Sequence, residues 1–298
     1  MATRYDTGAP TRAHPDLPSD DTQRALARWN HGRLQPGFPE ADWELKLARD
    51  HRMQRLEGSF LEGLRAQVAE QAAEAPTDAD GFLAWFEALE QEGPGQGDPL
   101  FAWLAEEASL EQMKWFLEQE AAGEAGFDDL VAYAQVKLPA QAKLELARNY
   151  WDEMGRGNPK GMHGPMLDYV VESLGLEPSI DATVPESLAL ANAMTAMATN
   201  RRYAWHAIGA LGVIELTAPA RSAATAAGMK RLGLDAKARR YFDLHAVLDV
   251  KHSAAWNEEA LRPLVAEEPR RAAAIAEGAL MRLACGARCF ERYRRELW

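Results

Sequence analysis

From Asp21 to the C-terminus, apolar positions recur at intervals of three and four residues, and no segment shows sustained apolar–polar alternation. The first spacing marks one face of an α-helix, whereas alternation would mark a half-buried strand, so the pattern predicts an all-α protein. DDTQRALARWNHGRL opens with two acids and predicts a short helix. After QPGFPE, ADWELKLARDHRMQRLEGSFLEGLRAQVAEQAAE predicts a long amphipathic helix, with Gly58 and Gly63 as the places where it would break. DADGFLAWFEALEQ, the loop EGPGQGDP, PLFAWLAEEA and SLEQMKWFLEQEAAGEAGFDDLVAYAQV follow. LPAQAKLELARNYWDEM is stopped by GRGNPKG, and HGPMLDYVVESLGL carries Pro165 where a first helical turn tolerates it. VPESLALANAMTAMATNRRYAWHAIGALGVIELTAPARSAATAAGMKRLGL is long and rich in Ala and Met. Asp235 is placed to cap AKARRYFDLHAVLDVKH, and a final helix starts near Pro269. Without a low-complexity linker or a repeat, the simplest organisation has residues 1–20 as a flexible leader. Residues 21–95 would then be N-terminal helices packing on the main helical domain, 96–298.

Composition narrows the class. The 298 residues are 47% hydrophobic and 26% charged, as in an ordinary globular protein. A net charge of −12 argues against a general nucleic-acid binder, whose phosphate contacts need a basic face. The opening residues lack the apolar stretch of a secretory signal, and no run of about 18 apolar residues occurs, which predicts a cytoplasmic protein without a membrane span. Cys285 and Cys289 lie four residues apart on one helix, a poor geometry for a disulfide, and are expected as reduced packing residues.

The chemistry is suggested by ionisable residues on apolar faces. In YFDLHAVLDVKHSAAW, His245, Asp249 and His252 stand at i, i+4 and i+7. At about 100° per residue they fall within about 60° of one another, on a stripe near Phe242 and Trp256. Glu153 extends the face of Leu146 and Tyr150, and His163 follows it across the glycine-rich loop. Glu215 sits in the nearly uncharged AIGALGVIELTAP, where a lone carboxylate is costly unless paired, protonated or bound to a metal. The stripe Met113, Leu117, Phe127, Val131 passes through both Glu120 and Glu124; Glu120 is preferred and Glu124 is the alternate. Oxygen and nitrogen donors from several helices, with no thiolate, suit two iron or manganese ions better than zinc or copper.

This ordered set resembles the heme-oxygenase-like di-iron oxidases and oxygenases, the iron-containing redox enzyme family. The resemblance spans roughly Pro99 to Trp256. It is carried by WFLEQE with Glu120, the E-x9-H of Glu153 and His163, Glu215, and the H-x3-D-x2-H of His245, Asp249 and His252. It implies a heme-oxygenase-like helical bundle of about seven core helices, with extra N-terminal helices, in which 96–298 is the di-iron domain. It also implies two Fe ions, the second held weakly, O2 as cosubstrate, and no heme. One iron would be held by Glu153, His163 and His252, the other by Glu120, Asp249 and His245, with Glu215 bridging or shifting between them.

The resemblance further implies an oxidoreductase: an O2-dependent non-heme di-iron oxidase or oxygenase. A peroxo-di-ferric species would N-oxygenate an amine or begin oxidative C–H or C–C chemistry on a small amine or amino-acid-like metabolite. Two alternatives stand beside it. One is an oxidative decarboxylase or lyase acting on a fatty or amino acid; the other is a non-redox binding protein of the thiaminase or cofactor-synthesis bundle type. No flavin or Rossmann fingerprint occurs, so electrons would come from an external donor. Tyr150, Tyr203, Trp205 and Trp256 are candidates for lining the substrate pocket, and Arg148 and Arg202 for holding a substrate carboxylate. The expected partners are a small-molecule substrate and the electron donor, with a homodimer left open and neither nucleic acid nor membrane. No protein acid or base apart from the metal centre is assigned.

Overall fold

The helices are where the 3.6-residue period puts them, and local chemistry sets many of their ends. The computed structural model describes residues 19–39, 41–123 and 126–298, so the leader up to residue 18 and the alternate ligand Glu124 lie outside the described residues. Helix α1 spans Asp20–Leu34 and α2 spans Trp43–Ala72. Helix α3 (Ala79–Glu92) starts where the Asp78 carboxylate accepts from the Gly81 N–H at 2.8 Å. Helix α4 (Pro99–Glu106) starts where Asp98 caps the Leu100 N–H, with proline in the first turn. Ser109 and Gln112 exchange hydrogen bonds at the head of α5 (Leu110–Gly123), a capping box. Then come α6 (Phe127–Ala134), α7 (Ala140–Glu153), α8 (His163–Leu174), α9 (Pro185–Thr199) and α10 (Ala204–Arg231). Helix α11 (Arg240–Ala255) runs through a π-helical turn at Trp256–Leu261 into α12 (Arg262–Glu267), and α13 (Arg271–Leu297) closes the chain.

Four features differ from the sequence expectation. Helix α2 passes Gly58 and Gly63 unbroken, since its hydrogen bonding tolerates isolated glycines at a modest cost in propensity. The segment after Ser109 divides into α5 and α6 where Gly126 takes a left-handed φ of 72°. The Ala/Met-rich segment divides at Asn200, whose side chain accepts from the Arg202 N–H and diverts the backbone into a short 3-10 turn. Asp235 accepts from the N–H groups of Lys237 and Ala238, yet α11 begins only at Arg240.

Helix α10 is the central element, packed against α4, α9, α11 and α13. Its approach to α13 is unusually close. A Cβ on Gly209 would lie 1.9 Å from the Ile275 carbonyl oxygen, and one on Gly278 would lie 2.0 Å from that of His206. The two glycines therefore let the backbones touch at the crossing, and each serves the other helix. Helix α1 docks on α9 through buried Asn30, Gln23 and Asn192, and α2 docks on α13 through the Arg65–Glu277 ion pair. Buried side chains of these N-terminal helices belong to the same apolar cluster as those of α9, α10 and α13. No strand occurs among the described residues, the one backbone bridge being Met154 to Met162. No described helix is long and apolar enough to cross a membrane. Cys285 and Cys289 are buried and unbridged.

Candidate metal centre

Four helices, α7, α8, α10 and α11, bring six of the sequence-predicted donors together. Helix α7 buries Ala142, Glu145, Leu146, Asn149 and Glu153, a single face at helical spacing that ends in a carboxylate. The chain then turns back on itself. Gly155, Arg156 and Gly157 all have positive φ, and Met154 bridges Met162, so His163 at the head of α8 returns beside Glu153. Gly155 is required twice over: its φ is 61°, and a Cβ there would lie 2.4 Å from the Gly161 carbonyl carbon. The E-x9-H spacing is thus the length of a closed loop. Helix α10 supplies Glu215, only 2% exposed, and Pro219 lacks the N–H that would bind the Glu215 carbonyl. Helix α11 supplies His245, Asp249 and His252.

Two groups of donor atoms lie within 4.8 Å of one another: Glu153 with His163 and His245, and Glu153 with Glu215 and His252. Glu153 belongs to both. His163 Nδ1 is 2.5 Å from Glu153 Oε2 and 3.1 Å from His245 Nε2. His245 Nδ1 donates to the Tyr241 carbonyl at 2.7 Å, which fixes the tautomer and leaves a lone pair on Nε2. His252 has Nδ1 3.4 Å from Glu215 Oε2 and Nε2 3.3 Å from Asp152 Oδ2. Asp152 is in turn held by Arg156 at 2.6 Å, and Asn149 donates to Glu215 at 2.6 Å. The expected division of ligands is therefore drawn differently by the fold. His163 meets His245 rather than His252, because His252 lies two turns further along α11, where it reaches Glu215 and Asp152.

The electrostatics describe a site built for cations. Burial, followed by the charges of Glu215 and Glu153, pushes the Asp249 carboxyl far above the carboxylate range. Asp249 Oδ1 is buried and has no hydrogen-bond partner, and buried His252 Nδ1 has Glu215 Oε2 beside it at 3.4 Å without good hydrogen-bond geometry. Burial pulls His163 and His245 down to about 4, in each case reinforced by a neighbouring histidine. Burial opposes charge on His252 as well, but the Glu215 carboxylate together with Asp152 and Glu153 outweighs it and raises His252 to about 9. Mutually repelling carboxylates with an orphaned oxygen, facing the neutral imidazoles of His163 and His245, form a donor set that could hold a metal ion.

The cavity, of about 150 Å³, is lined by Glu153, His163, Glu215, His245 and Asp249, with Leu167, Leu190, Met194, Ile214 and Ala218 as apolar wall. Other expected residues lie elsewhere. Glu120 accepts from the Tyr293 hydroxyl at 3.0 Å and faces the charges of Arg282 and Arg221, since α5 turns it toward α13. Trp256 is wholly buried against Gly212, and Tyr203 donates to Glu62. Trp205 stacks under Arg271, and Tyr150 packs against the main core. None of these four aromatics is in the cavity lining; as large amphipathic rings they fill interhelical space, and Phe127 and Tyr241 are the rings that line it. Arg148 pairs with Glu145 and Arg202 with Glu62. Phe242 is buried in a second apolar cluster. Asp128, in the first turn of α6, lines the cavity and its charge acts on His163. It shares a helical face with buried Val131, three residues on, a signal open to a sequence reading. Asn149 likewise sits one turn before Glu153.

Residues 114–287 match the sequence profile of a family described as iron-containing redox enzyme. A CADD-like protein of unknown function from Nostoc punctiforme, in two crystal structures, superposes with a TM-score of 0.55 at 17% and 18% identity. The match covers 74% of this chain and 98% and 95% of those chains. A domain of unknown function with a heme oxygenase-like fold from Shewanella denitrificans superposes with a TM-score of 0.53 at 15% identity, over 73% of this chain and 90% of that one. At such identities the likeness establishes the heme oxygenase-like fold and nothing of the reaction. No curated protein matches the chain.

Proposed function

The chain belongs to the iron-containing redox enzyme family, and from that premise we propose an O2-dependent non-heme di-iron oxidase or oxygenase acting on a small amine or amino-acid-like metabolite. The observation that carries this reading is Glu153 shared between two donor groups, with buried Asp249 orphaned beside them. Glu153, His163 and His245 would hold one iron, and Glu153, Glu215 and His252 the other, with Asp249 and Asp128 as further anionic donors. The four carboxylates match the charge of two ferrous ions, which explains how so many acids share one cavity. When bound, the iron pair supplies the redox chemistry that no side chain here can provide.

The protein's own residues prepare the donors. The Tyr241 carbonyl holds His245 in the tautomer whose Nε2 faces the cavity. Asp152 accepts from His252 Nε2, which turns Nδ1 toward Glu215. Asn149 orients Glu215, and the apolar wall keeps bulk water from the donor atoms. Anaerobic ferrous titration followed by an oxygen pulse tests the reading. Wild type should take up two irons and show a transient visible absorption, and His245→Ala and His252→Ala should each lose uptake. No uptake by wild type, or uptake by both variants equal to that of wild type, refutes it.

A further inference from the structure

Helices α7 and α11 meet where Asp152 reaches His252, and both turn apolar side chains to solvent on their outer faces. On α7, Leu144, Arg148 and Trp151 form an exposed stripe at i, i+4 and i+7. On α11, Val247, Val250 and Lys251 form another at i, i+3 and i+4. Trp151 is 53% exposed and Val247 65%. The Trp151 ring lies over Gly157 of the closing loop, where a Cβ would stand 3.0 Å from it. A supported but exposed tryptophan among aliphatic side chains is the composition of an interface centre.

The charge of this face departs from that of the molecule, whose net charge is −12. Within α7, the loop 154–162 and α11, the acids outside the metal centre are all taken: Glu145 by Arg148, Asp152 by Arg156 and Asp243 by Arg239. Exposed Lys143, Lys160, Arg240 and Lys251 form no ion pair among the described residues. On the flanks, α8 adds exposed Asp168 and Glu172, with Lys237 lying over its Tyr169. At the π-helical turn Glu258 pairs with Arg262 and Glu259 accepts from Gln141, while Asp128 lines the cavity. The face is therefore basic on an acidic protein.

That charge disfavours a second copy as occupant. A two-fold axis through this face would set Lys143 and Lys251 against their own equivalents, whereas an acidic partner would meet them with opposite charge. The face also adjoins the metal centre. Trp151 is peptide-bonded to Asp152, whose Oδ2 is 3.3 Å from His252 Nε2, so one residue and one polar contact join the surface ring to a proposed iron ligand.

We propose that this face docks a small acidic electron-carrier protein of the [2Fe–2S] ferredoxin class, with Trp151 at the centre of contact and Lys143 and Lys251 as steering charges. This rests on the iron reading of the site and names the source of its electrons. In each encounter the reduced cluster of the carrier loses one electron and is oxidised. The electron passes by way of Trp151, Asp152 and His252 to one ferric ion, which becomes ferrous, and two encounters reduce the pair. Complexes of this kind are small, transient and steered by charge, so salt weakens them.

The test titrates an oxidised, acidic plant-type [2Fe–2S] ferredoxin calorimetrically into the full chain, metal-free and loaded with ferrous iron. Metal-free wild type should bind it, and at least about tenfold more weakly when salt rises from about 20 mM to about 200 mM. Trp151→Ala, and Lys143→Glu combined with Lys251→Glu, should each lose at least about tenfold. Lys46→Glu, at an exposed lysine of α2, should bind as wild type does, and both lysine variants should take up iron as wild type does. Reduced ferredoxin mixed anaerobically with the ferric protein should regain its oxidised absorption, more slowly in the variants that lose binding. Ferredoxin that does not bind wild type, binds it regardless of salt, binds the double lysine variant undiminished, or is weakened as much by Lys46→Glu overturns the proposal. So does a wild-type dimer that Trp151→Ala dissolves, or binding to phosphatidylglycerol vesicles that the double lysine variant loses, since either gives the face another occupant. The salt dependence of wild type decides without relying on any variant folding. A wild type that docks ferredoxin but takes up no iron overturns the iron reading, and one that takes up iron but does not dock overturns this proposal alone.

Discussion

Replacing Asp249 by asparagine should stabilise the metal-free protein while weakening its hold on iron. Asp249 is 2% exposed, its Oδ1 has no donor, and burial with the Glu215 and Glu153 charges raises its pKa far above the ordinary 3.8. The sign follows from linkage. A carboxyl whose folded pKa exceeds its unfolded one binds more protons when folded, so its contribution is fully present below the unfolded pKa and is lost as pH rises toward the folded pKa. From pH 4 to pH 7 the loss is about 1.4 kcal/mol per pH unit, so about 4 kcal/mol at pH 7 if Asp249 alone carries it. Sharing the proton among the neighbouring acids brings the expected gain for Asp249→Asn to about 2–4 kcal/mol. In a chain of this size that is roughly 5–10 °C in melting temperature. The assay is calorimetric melting of chelator-treated wild type and variant across pH 4–7. The variant should melt higher at pH 7, and its stability should depend less on pH. Ferrous iron at a thousand times the wild-type Kd should reverse the order, since saturation there adds about 4.1 kcal/mol to the protein that binds it. A metal-free variant that melts at or below wild type at pH 7, or that keeps the wild-type pH slope, would refute the reasoning.

Three further outcomes are expected. Asp152→Asn removes the charge that holds His252 Nε2 and should weaken ferrous binding about tenfold, and Asp152→Ala up to about a hundredfold, by anaerobic competition titration; unchanged affinity in both would show that Asp152 does not position His252. Asp128→Asn should weaken iron binding about tenfold while Glu120→Gln leaves it intact, because Asp128 lines the cavity and Glu120 faces Tyr293; the reverse result would return Glu120 to the ligand set. Gly209→Ala and Gly278→Ala each force a Cβ to about 2 Å from a backbone oxygen and should cost about 3 kcal/mol or more in urea unfolding; a loss under about 1 kcal/mol would mean that the α10–α13 crossing relaxes easily.

Much of this molecule is legible from local pattern. The stripe of His245, Asp249 and His252 follows from helical period, and Glu153 is recognisable as a carboxylate continuing the face of Leu146. The E-x9-H spacing contains its own explanation, since GRGNPKG places glycine at the two positions where the closing loop takes positive φ beside Arg156. Glu120 shows where such reading stops. Its place on the apolar face of α5 is correct, but a face does not name what packs on it, and the structure gives it Tyr293, far along the chain. Tyr203, Trp205 and Trp256 are large side chains on inward stripes, and no periodicity separates filling the core from lining a cavity.

The sequence by itself determined the helical class, the faces of the helices and the donor types, because these depend on residues a turn apart whose geometry is set by the backbone. Tertiary structure decided which donors meet: His163 with His245, His252 with Glu215 and Asp152, and Glu153 between the two groups. It also brought Asp128 and Arg282 to the cavity wall. Those pairings depend on how α7, α8, α10, α11 and α13 cross, and the crossings are set by contacts such as that of Gly209 with Ile275, between residues distant in sequence. A helix dictates the direction of its side chains, and only the packing of the other helices determines what lies in that direction.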